Sequence, residues 1–434
     1  MRLSQPFKYV ICYGKTPLDL VSVIVFFIPI FFLTIKSWVT TSLFMLAIYC
    51  VWQVLKEPKK YFNSRGRLFW ISFLCLILPF LCELIAQVGR QSLDGPGLDG
   101  ASRSLLSSIV FVYLSKRNIE YRKFLVSALT YGAAAGIVVV LLSLIFFPDQ
   151  YWEHRAGTYF VDPITLPCYT VALLGIFLFG YEPKISIQAE IMLKAILFVI
   201  TTYIAIESYS RSSWIALMAL THVYVLYVFR GSIWKQILAT LATVVLFLLF
   251  YSNSEIVQSR VDLAVEGLSS FIADSAGQKT STGQRFILAL IDLELLSRFP
   301  FFGVPDSYMP DFYNLKAQIP SLNYEIYEIK VLAGSHTELL AQLVRKGYIF
   351  GGLTIGALFI YPLYLVLISF RRADASSRKL AAGVIGLVIS ILVSALTIQV
   401  FNLKMTISFY TVCMSIYMAL MCQNFPVKDD ESKN

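Results

Sequence analysis

The chain has 434 residues, of which 57% are hydrophobic and 15% charged, and its mean hydropathy is +0.69. Soluble globular proteins have about 25% charged residues, so this composition excludes that class and predicts an exterior that faces lipid. The net charge of +9 does not by itself indicate nucleic acid binding, because that depends on where the basic residues lie. The seven cysteines lie in or beside apolar segments, and we expect no structural disulfides.

Twelve stretches are predicted to be membrane-spanning helices, since a spanning helix needs about 20 mostly apolar residues. The first has no small-residue cleavage site after it, so we expect a retained helix rather than a cleaved signal peptide. The fourth is short and could be partly re-entrant. The predicted spans are 18–35, 38–55, 68–89, 103–115, 123–147, 162–181, 189–206, 212–229, 234–251, 347–370, 380–399 and 404–422.

The basic residues are concentrated on one side of these spans. If the N-terminus is cytoplasmic, segments 56–67, 116–123 and 371–379 are inside, and each is rich in Lys and Arg. The short outer loops contain few basic residues. This positive-inside distribution predicts that both termini are cytoplasmic, and it explains the basic composition without nucleic acid.

These observations predict an all-α polytopic membrane protein. Residues 1–251 form the first nine spans, 252–346 a long helical loop outside the membrane, 347–422 the last three spans, and 423–434 a cytoplasmic tail. The loop is too long to be a simple connection, so we expect it to have its own structure and a function.

The first predicted helix of this loop covers about 284–298. Its apolar residues form a broad surface, which indicates that the helix lies on the membrane or docks on the bundle. Arg285 and Asp292 are seven residues apart and share one face. The run Phe299-Pro300-Phe301-Phe302-Gly303 ends the helix. The apolar residues are Phe286, Ile287, Leu290, Ile291 and Leu293.

The second predicted helix begins near Ser335. Ser335 and Glu338 have the spacing of a capping box, which would make His336 the first helical residue. A histidine at a helix N-terminus feels the positive end of the helix dipole, which disfavours its protonated form. We therefore expect His336 to be neutral and able to accept a proton.

Three arginines stand out on the predicted outer side, namely Arg155, Arg211 and Arg285. The planar guanidinium suits phosphate oxygens, so these arginines and a neutral His336 suggest a lipid-linked phosphate or pyrophosphate as leaving group. The alternative is that each arginine pins a loop or reaches to lipid headgroups, and that His336 is a polar surface residue. Glu83, inside the third span, must face the bundle or a cavity and could orient an arginine.

Several chemistries lack support in the sequence. It contains no HExxH, CxxC, P-loop or GxSxG motif, which argues against zinc proteolysis, ATP hydrolysis and serine hydrolysis. No Asp-x-Asp lies near the predicted outer surface, and the outer acids Asp162, Asp292 and Glu338 are scattered. We therefore predict neither a metal site nor a cofactor, and interpret His154 and His222 as non-catalytic.

Three elements resemble motifs of the O-antigen ligase and polymerase superfamily. In the family's terms they are Ser-Arg-Gly-x-Trp, then Arg…Asn-Pro-hydrophobic-x-Gly-x-Gly, then His-Asn-x-hydrophobic-Leu…Gly. The chain departs from these motifs at Pro305, where the family has Gly, and at Thr337, where it has Asn. The matching residues are Ser210–Trp214, Gln284-Arg285 with Phe299–Val304, and Ser335–Leu340 with Gly347 and Gly351.

The resemblance implies a metal-independent, multi-span GT-C-like glycosyltransferase with a polyprenyl-linked donor. The ligase branch moves O-antigen from undecaprenyl pyrophosphate to a sugar hydroxyl of lipid A–core, at the periplasmic face of the bacterial inner membrane. It also implies that His336, Arg211 and Arg285 are catalytic, and that both arginines bind the pyrophosphate with Arg155. An O-antigen polymerase with a lipid-linked acceptor remains an alternative. A transporter of lipid-linked sugars is another, although the matched half-repeats that would favour it are not evident.

Overall fold

The computed structural model describes residues 19–63, 65–147, 152, 155–180, 186–273, 281–305, 311–319, 322, 324–333, 335–372, 375–401 and 403–422. The predicted tail 423–434, the basic residues before position 19 and His154 lie outside the described residues. Helices account for all the regular secondary structure within the described ranges, as the composition predicts.

The first ten helices lie between residues 20 and 253. They are α1 (Leu20–Phe31), α2 (Trp38–Lys56), α3 (Pro58–Phe62), α4 (Arg67–Gly89), α5 (Gly95–Leu114), α6 (Ile119–Phe146), α7 (Thr165–Gly180), α8 (Ile187–Glu207), α9 (Arg211–Val228) and α10 (Ile233–Asn253). The remaining helices are α11 (Glu255–Ala273), α12 (Ser281–Arg298), α13 (Phe312–Gln318), α14 (Tyr324–Ala333), α15 (Glu338–Ile355), a π-turn (Gly356–Ile360), α16 (Tyr361–Arg372), α17 (Ala375–Ala395) and α18 (Lys404–Met421).

Seven helices of the described chain are long and apolar enough to cross a membrane, which makes this a polytopic helical membrane protein. Each of the twelve predicted spans coincides with a helix, but the crossing of the other five stays a prediction. The seven are Trp38–Lys56, Arg67–Gly89, Ile119–Phe146, Ile187–Glu207, Glu338–Arg371, Ala375–Ala395 and Lys404–Met421.

The short apolar helix α7 lies at the centre of the bundle, where all of its residues are buried. It packs most extensively on α17. At their contact Gly175 and Gly386 bring the two backbones together, and a Cβ on either glycine would collide with the backbone of the other. Small residues permit this close approach between membrane helices.

Helix α10, in contrast to α7, is largely exposed. None of its described side chains is buried, and Trp234 and Leu238 are 77% and 69% exposed. Such an apolar surface is stable only against lipid or another protein. Among the described residues, the extensive contacts of α10 are with α9 and α11.

The region between α10 and α15 has a small hydrophobic core of its own. Ile287 and Ile291 of α12 face this core, whereas Phe286, Leu290 and Leu293 of the same helix are exposed. The predicted broad apolar surface is therefore divided between an internal core and an outer face. The core consists of Ile287, Leu288, Ile291, Leu295, Leu315, Ile319, Leu322 and Ile326.

Helix α15 is broken at Gly347, where φ is 76° and ψ 174°. The segment after α12 fills the break, because Tyr348 N–H donates to Pro300 O at 2.8 Å and Val304 N–H to Val344 O at 2.8 Å. A Cβ on Gly347 would collide with the carbonyl of Phe301. This contact joins the Phe-Pro-Phe-Phe-Gly run to the point where the sequence predicts the tenth span to begin.

Candidate active site

His336 lies in a short segment that precedes α15, and its side chain is half-buried. The predicted capping box is wrong, because α15 begins at Glu338 and its N-cap is Thr337, whose hydroxyl accepts from Leu340 N–H at 3.3 Å. The Ser335 hydroxyl instead donates to Asp292 Oδ1 at 2.8 Å and accepts from Lys330 Nζ at 3.1 Å. His336 therefore stands outside the helix, before its first turn.

The turn between α17 and α18 holds this segment from the membrane side. Glu338 N–H donates to Ile398 O at 3.1 Å, and the Glu338 carboxylate accepts from Phe401 N–H at 3.0 Å. Gln399 donates from Nε2 to the carbonyl of Ser335. Three contacts within four residues fix the backbone on both sides of His336.

A buried polar network holds the same segment from the loop side. The Asp292 carboxylate of α12 pairs with the Lys330 ammonium of α14 and accepts from Ser335. Lys330 also donates to the Ser335 hydroxyl at 3.1 Å. Asp292 is only 1% exposed and Lys330 6%, so both charges depend on each other for compensation.

Three charged residues act on the imidazole of His336. Burial lowers the pKa of His336 below its usual 6.5, and the charges of Arg285 and Lys330 lower it further, whereas Asp292 opposes them. The imidazole is therefore neutral at pH 7, as the sequence predicts. The cause differs from the prediction, because burial and neighbouring cations replace the helix dipole.

Arg285 connects His336 to Arg211. Burial lowers the pKa of Arg285, and the charge of Arg211 lowers it further, so the two guanidinium groups are within electrostatic reach of each other. Arg211 is the first residue of α9, and its Nη1 donates to the Thr282 hydroxyl at 3.1 Å. Arg285 has no carboxylate partner within the described ranges. The local field is positive and suits an anion.

Arg260 of α11 extends this positive region, which the sequence analysis missed. Its charge acts on Arg211, and its guanidinium lies 5.5 Å from the centre of the Tyr209 ring. Tyr209 has φ of 54°, a left-handed backbone that is strained for a residue with a side chain. Such strain beside Arg211 is typical of a functional segment, whereas nothing in the sequence around Arg260 forms a motif.

Arg155 is fixed near the start of α9. Its Nε donates to Ser208 O at 2.9 Å, and Ala156 N–H donates to Glu207 O at 2.9 Å. These bonds tie its loop to the segment that leads into Arg211. Its role in pyrophosphate binding stays a prediction.

Glu83 faces the protein interior, as predicted for a carboxylate inside a span. It is 1% exposed and lies 3.9 Å from Arg90 Nη2 and 3.5 Å from Lys346 Nζ. Arg90 also donates to the carbonyl of Arg345, beside the break of α15. This cluster therefore fixes the outer end of α4 against α15. Within the part of the chain that the structure describes, no three His, Cys, Asp or Glu side chains could hold a metal ion.

The comparison with known families agrees with this site. Residues 196–354 match the family described as O-antigen ligase. Because of this similarity, we refer to residues 196–354 as the O-antigen ligase domain. The search of curated proteins gave no match. The domain includes Arg211, Arg260, Arg285, Asp292 and His336, so every residue near the imidazole described above, apart from those of the 398–401 turn, belongs to the O-antigen ligase domain.

Membership of this domain supports a ligase- or polymerase-like activity. It confirms the resemblance that the SRSSW, Gln284-Arg285 and Ser335–Leu340 elements indicate in the sequence. Arg155 and Glu83 lie outside the O-antigen ligase domain, N-terminal to it.

Proposed function

We propose that this protein is a glycosyltransferase that ligates O-antigen from undecaprenyl pyrophosphate to a sugar hydroxyl of lipid A–core. One observation carries the proposal: the hydrogen bond from Arg211 to Thr282 joins Arg211 to the turn of α12 that carries Arg285, whose charge in turn acts on His336. A leaving pyrophosphate on the arginines would therefore lie beside a neutral imidazole that can take the proton of the acceptor. The domain match to O-antigen ligase supports the class of substrate.

The reaction is a direct displacement. His336 accepts the proton of the acceptor hydroxyl while its oxygen attacks the anomeric carbon of the donor glycan. The bond between that carbon and the pyrophosphate oxygen breaks, and its electron pair remains on the pyrophosphate. The products are the new glycosidic bond, undecaprenyl pyrophosphate and an imidazolium, which then loses its proton to water. General base catalysis of this kind typically contributes about 10²–10⁴-fold.

Arg211 and Arg285 stabilise the leaving group. Negative charge accumulates on the pyrophosphate as the bond breaks, and two fixed guanidinium groups in a partly buried site offset that charge without reorganisation. Arg155 would add a third contact through the loop that it shares with Ser208. In this proposal the site faces the periplasm of the inner membrane and both chain termini are cytoplasmic.

An O-antigen polymerase is the second candidate, because the domain match supports both reactions. The two differ in the acceptor alone. The deciding experiment supplies purified protein with undecaprenyl-pyrophosphate-linked glycan and either lipid A–core or a second lipid-linked glycan as sole acceptor. We expect product with lipid A–core, with and without a metal chelator. Product only with the second lipid-linked glycan would replace the ligase by the polymerase, and absence of product with both would reject glycosyl transfer.

A further inference from the structure

We propose that Asp292 is a positioning residue for His336, which orients the segment that carries the base and offsets the charge of the imidazolium during transfer. The inference rests on the proposed function of His336 as a base. Asp292 belongs to α12, the helix that also carries Arg285, so the carboxylate links the base to the anion-binding arginines.

A hydrogen bond joins Asp292 to the residue that precedes the base in the chain. Its Oδ1 accepts from the hydroxyl of Ser335, the residue adjacent to His336, at 2.8 Å. The other carboxylate oxygen, Oδ2, is buried and has no hydrogen-bond partner in the described structure. A buried carboxylate oxygen normally has a partner, because leaving it without one costs about 1–3 kcal/mol or more. An acceptor of this kind near an imidazole is suited to an interaction that forms only when the ring becomes charged.

The charges around the imidazole require such a group. When His336 takes the proton of the acceptor, the imidazolium stands near two cations, Arg285 and Lys330, and both disfavour it. Asp292 is the group that favours the charged ring, as its influence on the pKa of His336 has the opposite sign. Glu338 is also near in sequence, but its carboxylate is engaged by Phe401 N–H and Gln342.

Lys330 has a separate task in this arrangement. Its ammonium compensates the buried Asp292 carboxylate, which would otherwise be isolated in a site of low polarity. Because Lys330 also donates to Ser335, the carboxylate, the ammonium and the hydroxyl form a closed triangle. The triangle leaves Oδ2 of Asp292 without a hydrogen-bond partner among the described residues and ties the segment of His336 to α12 and α14.

The test measures the titration of His336 directly. The chain has three histidines, so a protein with His154→Gln and His222→Gln gives a single ¹⁵N-histidine signal. In this background we expect Asp292→Asn to lower the pKa of His336 by roughly one unit, the size of effect that a nearby carboxylate has. Glu294→Gln is the matched control, because this carboxylate of the same helix is paired with Arg298 on a partly exposed face. We expect it to leave the titration unchanged.

Turnover provides the second readout. We expect Asp292→Asn to lower kcat by about 10–100-fold, as loss of a group that orients a reactive side chain does, and to shift the acid limb of the pH profile downward. A purely structural role would lower activity without moving that limb. An unchanged titration and an unchanged acid limb in a protein that elutes and melts like wild type would overturn the proposal.

Ser335→Ala keeps the inference testable if Asp292→Asn does not fold. This variant retains the ion pair between Asp292 and Lys330 and removes the two hydrogen bonds that tie the pair to the segment of His336. We expect lower kcat and a smaller shift of the pKa in the same direction, and wild-type values for both would reject the positioning role. Failure of the proposed function is distinguishable, because wild-type protein would then give no product while the histidine titration still reports on Asp292.

Discussion

Arg211 Nη1 donates a hydrogen bond to the Thr282 hydroxyl at 3.1 Å. This bond joins the first turn of α9 to the first turn of α12. Thr282 precedes Arg285 by three residues and therefore shares its face of the helix. The two arginines are thus held together by the fold, which gives the pyrophosphate proposal a geometric basis.

Replacement of either arginine by lysine tests the anion site. We expect Arg211→Lys and Arg285→Lys each to lower kcat/KM on the order of 10²-fold, because lysine keeps the charge but loses the planar pair of donors. Initial rates over a range of donor concentrations provide the measurement. Arg298→Lys is the control in α12, since this arginine is partly exposed and paired with Glu294, and we expect nearly normal activity. Normal rates for both site variants would rule out the arginine site.

His336→Gln should lower kcat by about 10²–10⁴-fold, because the general base is lost while the side-chain volume is nearly kept. The control is His222→Gln in α9, which should remain active. If His336→Gln retained full activity at a normal protein level, another group would have to be the base.

The pH dependence follows from the lowered pKa of His336. The base works only when neutral, and its pKa lies below the usual 6.5 because of burial and the charges of Arg285 and Lys330. As the pH falls, kcat/KM should therefore reach half of its plateau value below pH 6.5. A half-plateau value above pH 7 would contradict this assignment. Initial rates from pH 4 to 9, at constant ionic strength, give the profile.

Gly347→Ala should destabilise the protein by about 1–3 kcal/mol or more, because alanine is strained at positive φ and its Cβ would collide with the Phe301 carbonyl. Gly352→Ala is a close control in the same helix, where an added Cβ meets nothing within 4 Å. Thermal unfolding in detergent compares the two. Equal melting temperatures would show that the break of α15 is not required for folding.

Glu83→Gln should be destabilising by about 3–5 kcal/mol, because it removes the carboxylate from a buried cluster with Arg90 and Lys346. Glu57→Gln provides the comparison, since its pair with Lys60 is exposed and such pairs contribute little to stability. The midpoints of unfolding in detergent measure the difference. Similar losses for both variants would mean that the Glu83 cluster is not structurally important.

The helices could be predicted because lipid imposes a simple rule on the chain: long apolar stretches must satisfy their backbone hydrogen bonds internally. The family elements also pointed to His336, Arg211 and Arg285 without any geometry. The cap of α15 could not be predicted in this way. Ser335 has the right spacing from Glu338, but its hydroxyl bonds to Asp292, which is 43 residues earlier in the chain.

Lys330 and Arg260 could not be predicted from the sequence for related reasons. Lys330 has no local feature that distinguishes a buried partner of Asp292 from a solvated lysine, because the pair forms across 38 residues. Arg260 is recognisable only when α11 and Tyr209 are seen together. The apolar character of α12 was predicted correctly. Which of its apolar residues are buried depends on α13 and α14, and the sequence does not indicate how these two helices pack.

His336 and the two arginines are held in place by different parts of the chain. Arg211 belongs to α9 and Arg285 to α12. The backbone around His336 is instead held by hydrogen bonds to the turn that contains Ile398, Gln399 and Phe401. That turn lies beyond residue 354, where the O-antigen ligase domain ends. A fragment that stops there would keep every reactive side chain and yet lose the support of its proton acceptor. If His336 is the base, as we propose, activity therefore requires α17 and α18 as well as the O-antigen ligase domain.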